Sequence, residues 1–213
     1  MIFLYLIFGI YFVACILEKI LKKRNNDFDI YIGIPGTGKT TMASWLAKRN
    51  LKRHREVFCN VPIKGTKIVQ RSDIGRFLLN NGALIIDEAG SEYNNRKSTD
   101  KKRGMTDEEI KFYKYHRHFD IDCYFFSQGL DIDITLRRLA SNIYLLKKTI
   151  IPFMVRRKRV KCTIDIDKET HQLTEKYSFD ILGTKYIFAP SLWKMFDSHI
   201  TYELPSKKFE VYQ

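Results

Sequence analysis

An α/β fold, with a mostly parallel sheet flanked by helices, is predicted by three features of the 213-residue sequence. Short apolar runs rich in β-formers alternate with segments of helical periodicity, as in strand–helix–strand units of a parallel sheet. Ala83-Leu84-Ile85-Ile86 is apolar without interruption, the composition of a strand buried on both faces. A glycine-rich turn, Gly33 to Gly38, separates the first strand from the first helix. The length suits one domain with a single core.

The elements follow in order. Arg24-Asn25-Asn26-Asp27 is a polar break, and residues 28–32 (FDIYI) form the first strand. Residues 40–50 have helical spacing, with Met42, Trp45 and Leu46 on one face. A second strand is expected over 56–62. Residues 72–80 carry a helix-start signal and place Ile74, Phe77 and Leu78 at helical spacing, with Asn81-Gly82 as the stop. The buried strand 83–86 ends in Asp87-Glu88, and the polar stretch 90–104 reads as a mobile loop. Thr106-x-x-Glu109 is a capping box opening a helix to about His118. A strand over 121–126 closes in Ser127-Gln128, followed by a helix over 132–139 and a strand over 143–146. From about residue 151 the pattern turns strand-like, at 154–164, 179–181 and 186–188.

Composition narrows the functional classes. Hydrophobic residues make up 45% and charged residues 29%, which excludes a disordered chain. Lys and Arg number 37 against 24 Asp and Glu, a formal charge of +13 that favours polyanionic partners, nucleic acid or an anionic membrane surface. Cys15, Cys59, Cys123 and Cys162 show no metal spacing; Cys59 and Cys123 sit in apolar runs and read as core thiols. His116-Arg117-His118 lacks the spacing for a metal pair.

The first 17 residues carry no charge and are followed by Glu18, Lys19, Lys22, Lys23 and Arg24. A spanning helix takes roughly 17–25 apolar residues. No basic region precedes the run and no small-x-small site follows it, so a signal anchor is preferred to a cleaved signal peptide; a buried core helix is the other alternative. Residues 1–25 are thus expected to form a single N-terminal transmembrane helix with a basic juxtamembrane segment. Residues 26–213 then form the main domain, placed in the cytoplasm by the basic cluster.

The chemistry concentrates in Gly33-Ile34-Pro35-Gly36-Thr37-Gly38-Lys39-Thr40, a full match to the phosphate-loop template between a strand and a helix. The glycines let successive backbone N–H groups point at phosphate oxygens, Lys39 brings charge to the β/γ phosphates, and the Thr40 hydroxyl can ligate Mg²⁺. With Thr41 these residues form the predicted ATP-binding segment at a positive helix end. Asp87, ending a buried strand, can hold Mg²⁺, and Glu88 is placed to orient or deprotonate the attacking water. Gln128 ends the next strand, where it can sense the γ-phosphate or hold the water. Arg137 or Arg138 can act as an arginine finger toward a neighbouring subunit, or belong to an exposed basic helix end. Residues 48–55 and 156–161 are basic stretches able to track a phosphate backbone.

The phosphate loop, the strand ALIIDEAG (83–90), the segment KYHRHFDIDCYFFSQ (114–128) and DITLRRLASNIYLL (133–146) together resemble the Zot (zonula occludens toxin) family, which includes the gene-I assembly proteins of filamentous phages. The resemblance covers roughly residues 28–150 and, loosely, Pro190-Ser191-Leu192-Trp193. It implies a P-loop NTPase of the additional-strand class, a membrane-bound ATPase driving assembly and export of single-stranded-DNA phage through the host inner membrane. Lys39, Thr40, Asp87, Glu88 and Gln128 would form its nucleotide site. It also implies a homo-oligomer, such as a ring, and single-stranded DNA, phage nucleoprotein and other phage assembly proteins as partners. In familiar members the span follows the ATPase domain. Here the apolar run precedes it, so a periplasmic portion is not expected, and contact with an outer exit channel is left open. A DNA-packaging or conjugation-type ATPase, a small-molecule P-loop kinase and a non-hydrolysing nucleotide-binding scaffold are the alternative functions.

Overall fold

The computed structural model describes residues 26–93, 105–151, 153–166 and 173–196. The expected membrane anchor, residues 1–25, lies outside the described residues, as do residues 94–104 of the expected mobile loop. No helix among the described residues is long and apolar enough to cross a membrane.

The chain runs β1 (Phe28–Ile32), α1 (Lys39–Leu51), β2 (Glu56–Cys59), β3 (Lys67–Ile68), β4 (Gly82–Ile86), α2 (Ala89–Glu92), α3 (Asp107–Tyr115), β5 (Ile121–Ser127), α4 (Ile134–Leu139), β6 (Asn142–Lys148), β7 (Met154–Ile166) and β8 (Leu173–Phe188), then a 3-10 turn at Pro190–Met195. Among the described residues the strands form one sheet in the order β3-β2-β4-β5-β1-β6-β7-β8. From β3 to β6 every pairing is parallel; β7 and β8 add antiparallel. The expected mixed α/β sheet with helices is therefore present. β5 stands between β1, which leads into the glycine-rich turn, and β4, which leads into the acidic pair.

Alternation along the central strands sorts side chains to two faces. Phe28 and Ile30, Leu84 and Ile86, and Cys123 and Phe125 pack on one face, against Phe112 and Tyr113 of α3 and Leu136 of α4. Tyr31, Ala83, Ile85, Tyr124 and Phe126 pack on the other, against Met42, Ala43, Leu46 and Ala47 of α1. Both faces of β4 are fully buried, which is why its sequence shows no polar alternation. Each such large apolar side chain contributes about 1.5–3 kcal/mol by leaving water. Cys59 and Cys123 are buried free thiols; burial pushes Cys59 up to about 12 and Cys123 upward as well.

Several local expectations change, among them the start of the expected loop 90–104, where Ala89–Glu92 is a short helix. The helix predicted over 72–80 does not form: only a 3-10 turn at Arg71–Asp73 does. Gly75 adopts a left-handed φ of +83°, and a Cβ there would meet the Glu108 backbone at 2.8 Å, so the chain turns sharply against α3. Ile74 is then buried while Phe77 and Leu78 are 64% and 73% exposed, so no common helical face exists. The second strand ends at Cys59, short of the predicted Pro62. The Thr106 capping box forms as expected, with Glu109 N donating to Thr106 Oγ1 at 3.2 Å and Thr106 N to Glu109 Oε2 at 2.7 Å. Its helix ends at Tyr115 rather than His118. The strand-like runs at 179–181 and 186–188 belong to one long strand, β8.

Beneath α1, carboxylates are buried in the sheet. Asp29 is 3% exposed and accepts from Asn142 Nδ2 at 2.8 Å and Tyr31 Oη at 3.3 Å. Burial raises its carboxyl to about 7, against the pull of Asn142 and the nearby Arg157. Such a carboxyl contributes stability below its unfolded value of 3.8 that is lost as pH rises through the folded value. Asp29→Asn is therefore expected to gain on the wild type across this window, by up to about 4 kcal/mol near neutral pH. Urea unfolding of both chains from pH 4.5 to 7.5 checks this; parallel pH profiles would contradict it.

Candidate active site

The glycine-rich turn leaves β1 by a hydrogen bond from Gly33 N to Ser127 O at 3.0 Å, which continues the β1–β5 pairing. It closes on itself as Thr37 N and Thr37 Oγ1 both donate to Ile34 O, at 3.2 and 2.7 Å. Gly36 and Gly38 hold left-handed φ values of +75° and +93°. Gly38 is the N-cap of α1 and offers no side-chain acceptor, so first-turn N–H groups remain available to an anion. At Gly38 a Cβ would also lie 2.4 Å from Val155 Cγ2, so β7 packs directly on the turn.

Lys39 is buried, and its Nζ donates to Gly33 O at 3.1 Å and lies 3.8 Å from Glu88 Oε1. On the neighbouring side, the Asn60 side chain clamps the end of β4: Asp87 N donates to Asn60 Oδ1 at 2.7 Å and Asn60 Nδ2 to Asp87 O at 2.9 Å. Glu88 occupies a left-handed φ of 52°, a costly conformation for a side-chain-bearing residue. Its N–H donates to Asp87 Oδ1 at 2.9 Å. Its carboxylate accepts from Gln128 Nε2 at 3.2 and 3.4 Å. Lys39, Glu88 and Gln128, read separately from the sequence, thus meet above the C-terminal ends of β1, β4 and β5.

One cavity of about 780 Å³ takes in Pro35, Gly36, Gly38, Lys39, Thr40, Thr41, Asp87, Glu88 and Gln128. Its size lies within the roughly 300–1,000 Å³ usual for small-molecule sites. Thr37 is buried within the turn, and Gly33 contributes its carbonyl to Lys39. Burial raises the Asp87 carboxyl; the Glu88 N–H it accepts from opposes the rise, the Glu88 charge adds to it and Lys39 opposes it. The Asp87 carboxyl and the Thr40 hydroxyl, which line the same cavity, are hard oxygen donors and fit Mg²⁺, which takes one or two carboxylates and fills its shell with phosphate and water oxygens. Among the described residues no group of three or more His, Cys, Asp and Glu could hold a metal alone.

Arg137 and Arg138 sit in the last turn of α4, half-buried and exposed respectively, and neither lines the cavity. His116 is buried, with Nδ1 2.8 Å from Tyr113 O. Five contributors were not among the predicted site residues. Asn60 hid inside the over-long second strand, although a polar residue at the C-terminal end of a parallel strand is a usable signal. Lys148, from the end of β6, brings Nζ to 3.3 Å from the point a Cβ of Gly36 would occupy. Leu192 and Trp193 line the cavity from the C-terminal 3-10 turn, and Phe196 from just beyond it.

Residues 63–203, about two thirds of the chain, match the family described as zonular occludens toxin (Zot). The chain belongs to the Zot family. The N-terminal domain of zonular occludens toxin from Neisseria meningitidis superposes on this Zot-family chain with a TM-score of 0.50 at 19% identity, over 82% of this chain and 100% of that one. The genome-packaging NTPase B204 of Sulfolobus turreted icosahedral virus 2, in complex with AMPPCP, gives a TM-score of 0.45 at 13% identity over 72% of this chain and 98% of that one. The RadB recombinase gives 0.43 at 13% identity, over 76% and 91%. No curated protein matches the Zot-family chain in sequence.

Proposed function

We propose that this Zot-family chain is a P-loop ATPase of the additional-strand class that works as a motor in assembly and export of filamentous, single-stranded-DNA phage. The observation that carries the hydrolytic reading is the convergence of Lys39, Thr40, Asp87, Glu88 and Gln128 on one cavity. The turn N–H groups and Lys39 bind the triphosphate, and the charge of Lys39 is stabilising where negative charge develops on the γ-phosphoryl group. Mg²⁺, held by Thr40 and Asp87, would neutralise β- and γ-phosphate charge. Glu88 orients and deprotonates water, and Gln128 fixes the Glu88 carboxylate. With a carboxylate and an amide at the γ-phosphate end, water rather than an organic hydroxyl is the acceptor.

The cargo reading is supported by the open face of the β6–β7–β8 layer. Lys147, Arg156 and Tyr186 are in register across its three strands, so they share one face. Phe179, Tyr186 and Phe188 are exposed, and Lys158 Nζ lies 5.5 Å from the centre of the Phe179 ring. Cations interleaved with exposed rings suit single-stranded DNA, whose phosphates pair with the one and whose bases stack on the other. Residues 1–25 would anchor the motor to the host inner membrane with the ATPase domain in the cytoplasm. A ring of copies working with other phage assembly proteins would let Arg137 or Arg138 reach a neighbour's nucleotide.

The test uses the purified full chain. Phosphate release from MgATP is expected, rising on addition of oligo(dT), with salt-sensitive oligo(dT) binding. Lys39→Ala is expected to lower turnover by about 100-fold or more. Turnover indifferent to Lys39→Ala, or oligo(dT) binding indifferent to salt, would contradict the reading.

A further inference from the structure

The lining of the cavity is of two chemical kinds. The phosphate-loop residues supply a polar, cationic wall; Leu192, Trp193 and Phe196 supply an apolar one. Trp193 is 55% exposed, an unusual state for the largest apolar side chain. The segment that carries it is firmly held. Leu192 is buried against the α1 face of the sheet, Lys64 N donates to Met195 O at 2.8 Å, and Lys48 Nζ donates to Ser191 O at 3.2 Å. The indole itself is braced edge-to-face by Phe153, with ring centres 5.5 Å apart, and the Phe153 carbonyl accepts from Ala189 N at 2.8 Å. The result is a rigid aromatic shelf, presented to the same cavity as the triphosphate loop.

From this juxtaposition we infer that Trp193 is the platform on which the nucleobase stacks, making the site one for purine nucleoside triphosphates. The inference rests on the phosphate-loop reading above and extends it to the other end of the ligand. A ligand bearing phosphates at one end and a flat aromatic ring at the other matches the two kinds of lining. Stacking rewards ring area more than hydrogen-bond pattern, so purines gain more than pyrimidines. Phe196 and Thr41 line the same cavity.

The experiment measures binding of MgATP, MgUTP and magnesium tripolyphosphate to the full chain, its Trp193→Ala and Trp193→Phe variants, by calorimetry and tryptophan emission. The wild type is expected to bind MgATP more tightly than MgUTP, and both more tightly than tripolyphosphate. Trp193→Ala is expected to weaken MgATP by about ten-fold or more while leaving tripolyphosphate unchanged. Trp193→Phe, which keeps a stacking ring, recovers most of the MgATP affinity. MgATP quenches wild-type emission, tripolyphosphate does not, and the quench is absent from Trp193→Phe, where Trp45 remains. Equal affinities for MgATP and tripolyphosphate in the wild type would overturn the platform alone. So would a Trp193→Ala variant that binds MgATP normally, or one that loses both ligands together. Failure of the wild type to bind tripolyphosphate at all would instead overturn the phosphate-loop reading, and the platform with it.

Discussion

Glu88→Gln is expected to lower ATP turnover by about 100-fold or more while MgATP still binds within a few fold of the wild type. The substitution keeps the shape and the contact with Gln128, whose amide can still donate to the remaining carbonyl oxygen. It removes the negative charge 3.8 Å from Lys39 and the proton acceptor at the γ-phosphate end. The loss should therefore fall on kcat, the sign of an interaction realised in the transition state. Single-turnover phosphate release and nucleotide binding on the same preparation separate the two. A variant with wild-type kcat would remove Glu88 from the chemistry. The left-handed backbone of Glu88 sharpens the expectation: Asn60 holds Asp87 on one side and α2 begins on the other, so the strained conformation is imposed by its neighbours.

Arg55→Met is expected to destabilise the fold by about 3–5 kcal/mol, the cost of leaving a buried charge without its partner. Arg55 is 4% exposed. Its Nη1 donates to the Asp122 carboxylate and, at 2.9 Å, to Asn50 Oδ1; its Nη2 donates to Asp120 O at 2.7 Å. Asp122 also accepts from Tyr124 Oη at 3.1 Å and Asp27 N at 3.0 Å. One guanidinium thus ties the end of α1, the entry to β2 and the start of β5 to the residues leading into β1. Arg55→Lys should recover little, because an ammonium lacks the planar fork. Arg55→Met combined with Asp122→Leu should recover much of the loss, since the orphaned charge goes with its partner. Thermal melts check both; at about 2–4 °C per kcal/mol for a chain of this size, the single variant should melt about 6–20 °C lower. Equal melting of the single and double variants would show that packing around Arg55, not charge, sets its role.

Much of the centre of the molecule was legible from short windows. Strand 28–32, the uninterrupted apolar run before Asp87 and the strand ending at Ser127 were readable because a strand buried on both faces needs apolar side chains at every position. The Thr106 capping box was readable because its two hydrogen bonds join residues three apart. The failure over 72–80 has the opposite origin. Ile74, Phe77 and Leu78 have helical spacing, but Gly75 must turn against Glu108, and nothing near Gly75 in sequence reveals that neighbour.

The same division runs through the site. The phosphate loop, Asp87, Glu88 and Gln128 were recognisable because strand-end position and local backbone stereochemistry are written within a few residues of each. Their meeting, with β5 inserted between β1 and β4, is a property of sheet order. So are the Asn60 clamp on Asp87, the approach of Lys148 to Gly36 and the burial of Arg55 on Asp122. Trp193 reaches the cavity from more than 150 positions beyond the phosphate loop. Periodicity and turn chemistry are short-range and leave their mark in any window of ten residues. Contacts between strand ends depend on which strands pair, a choice made by burying two faces of the sheet at once.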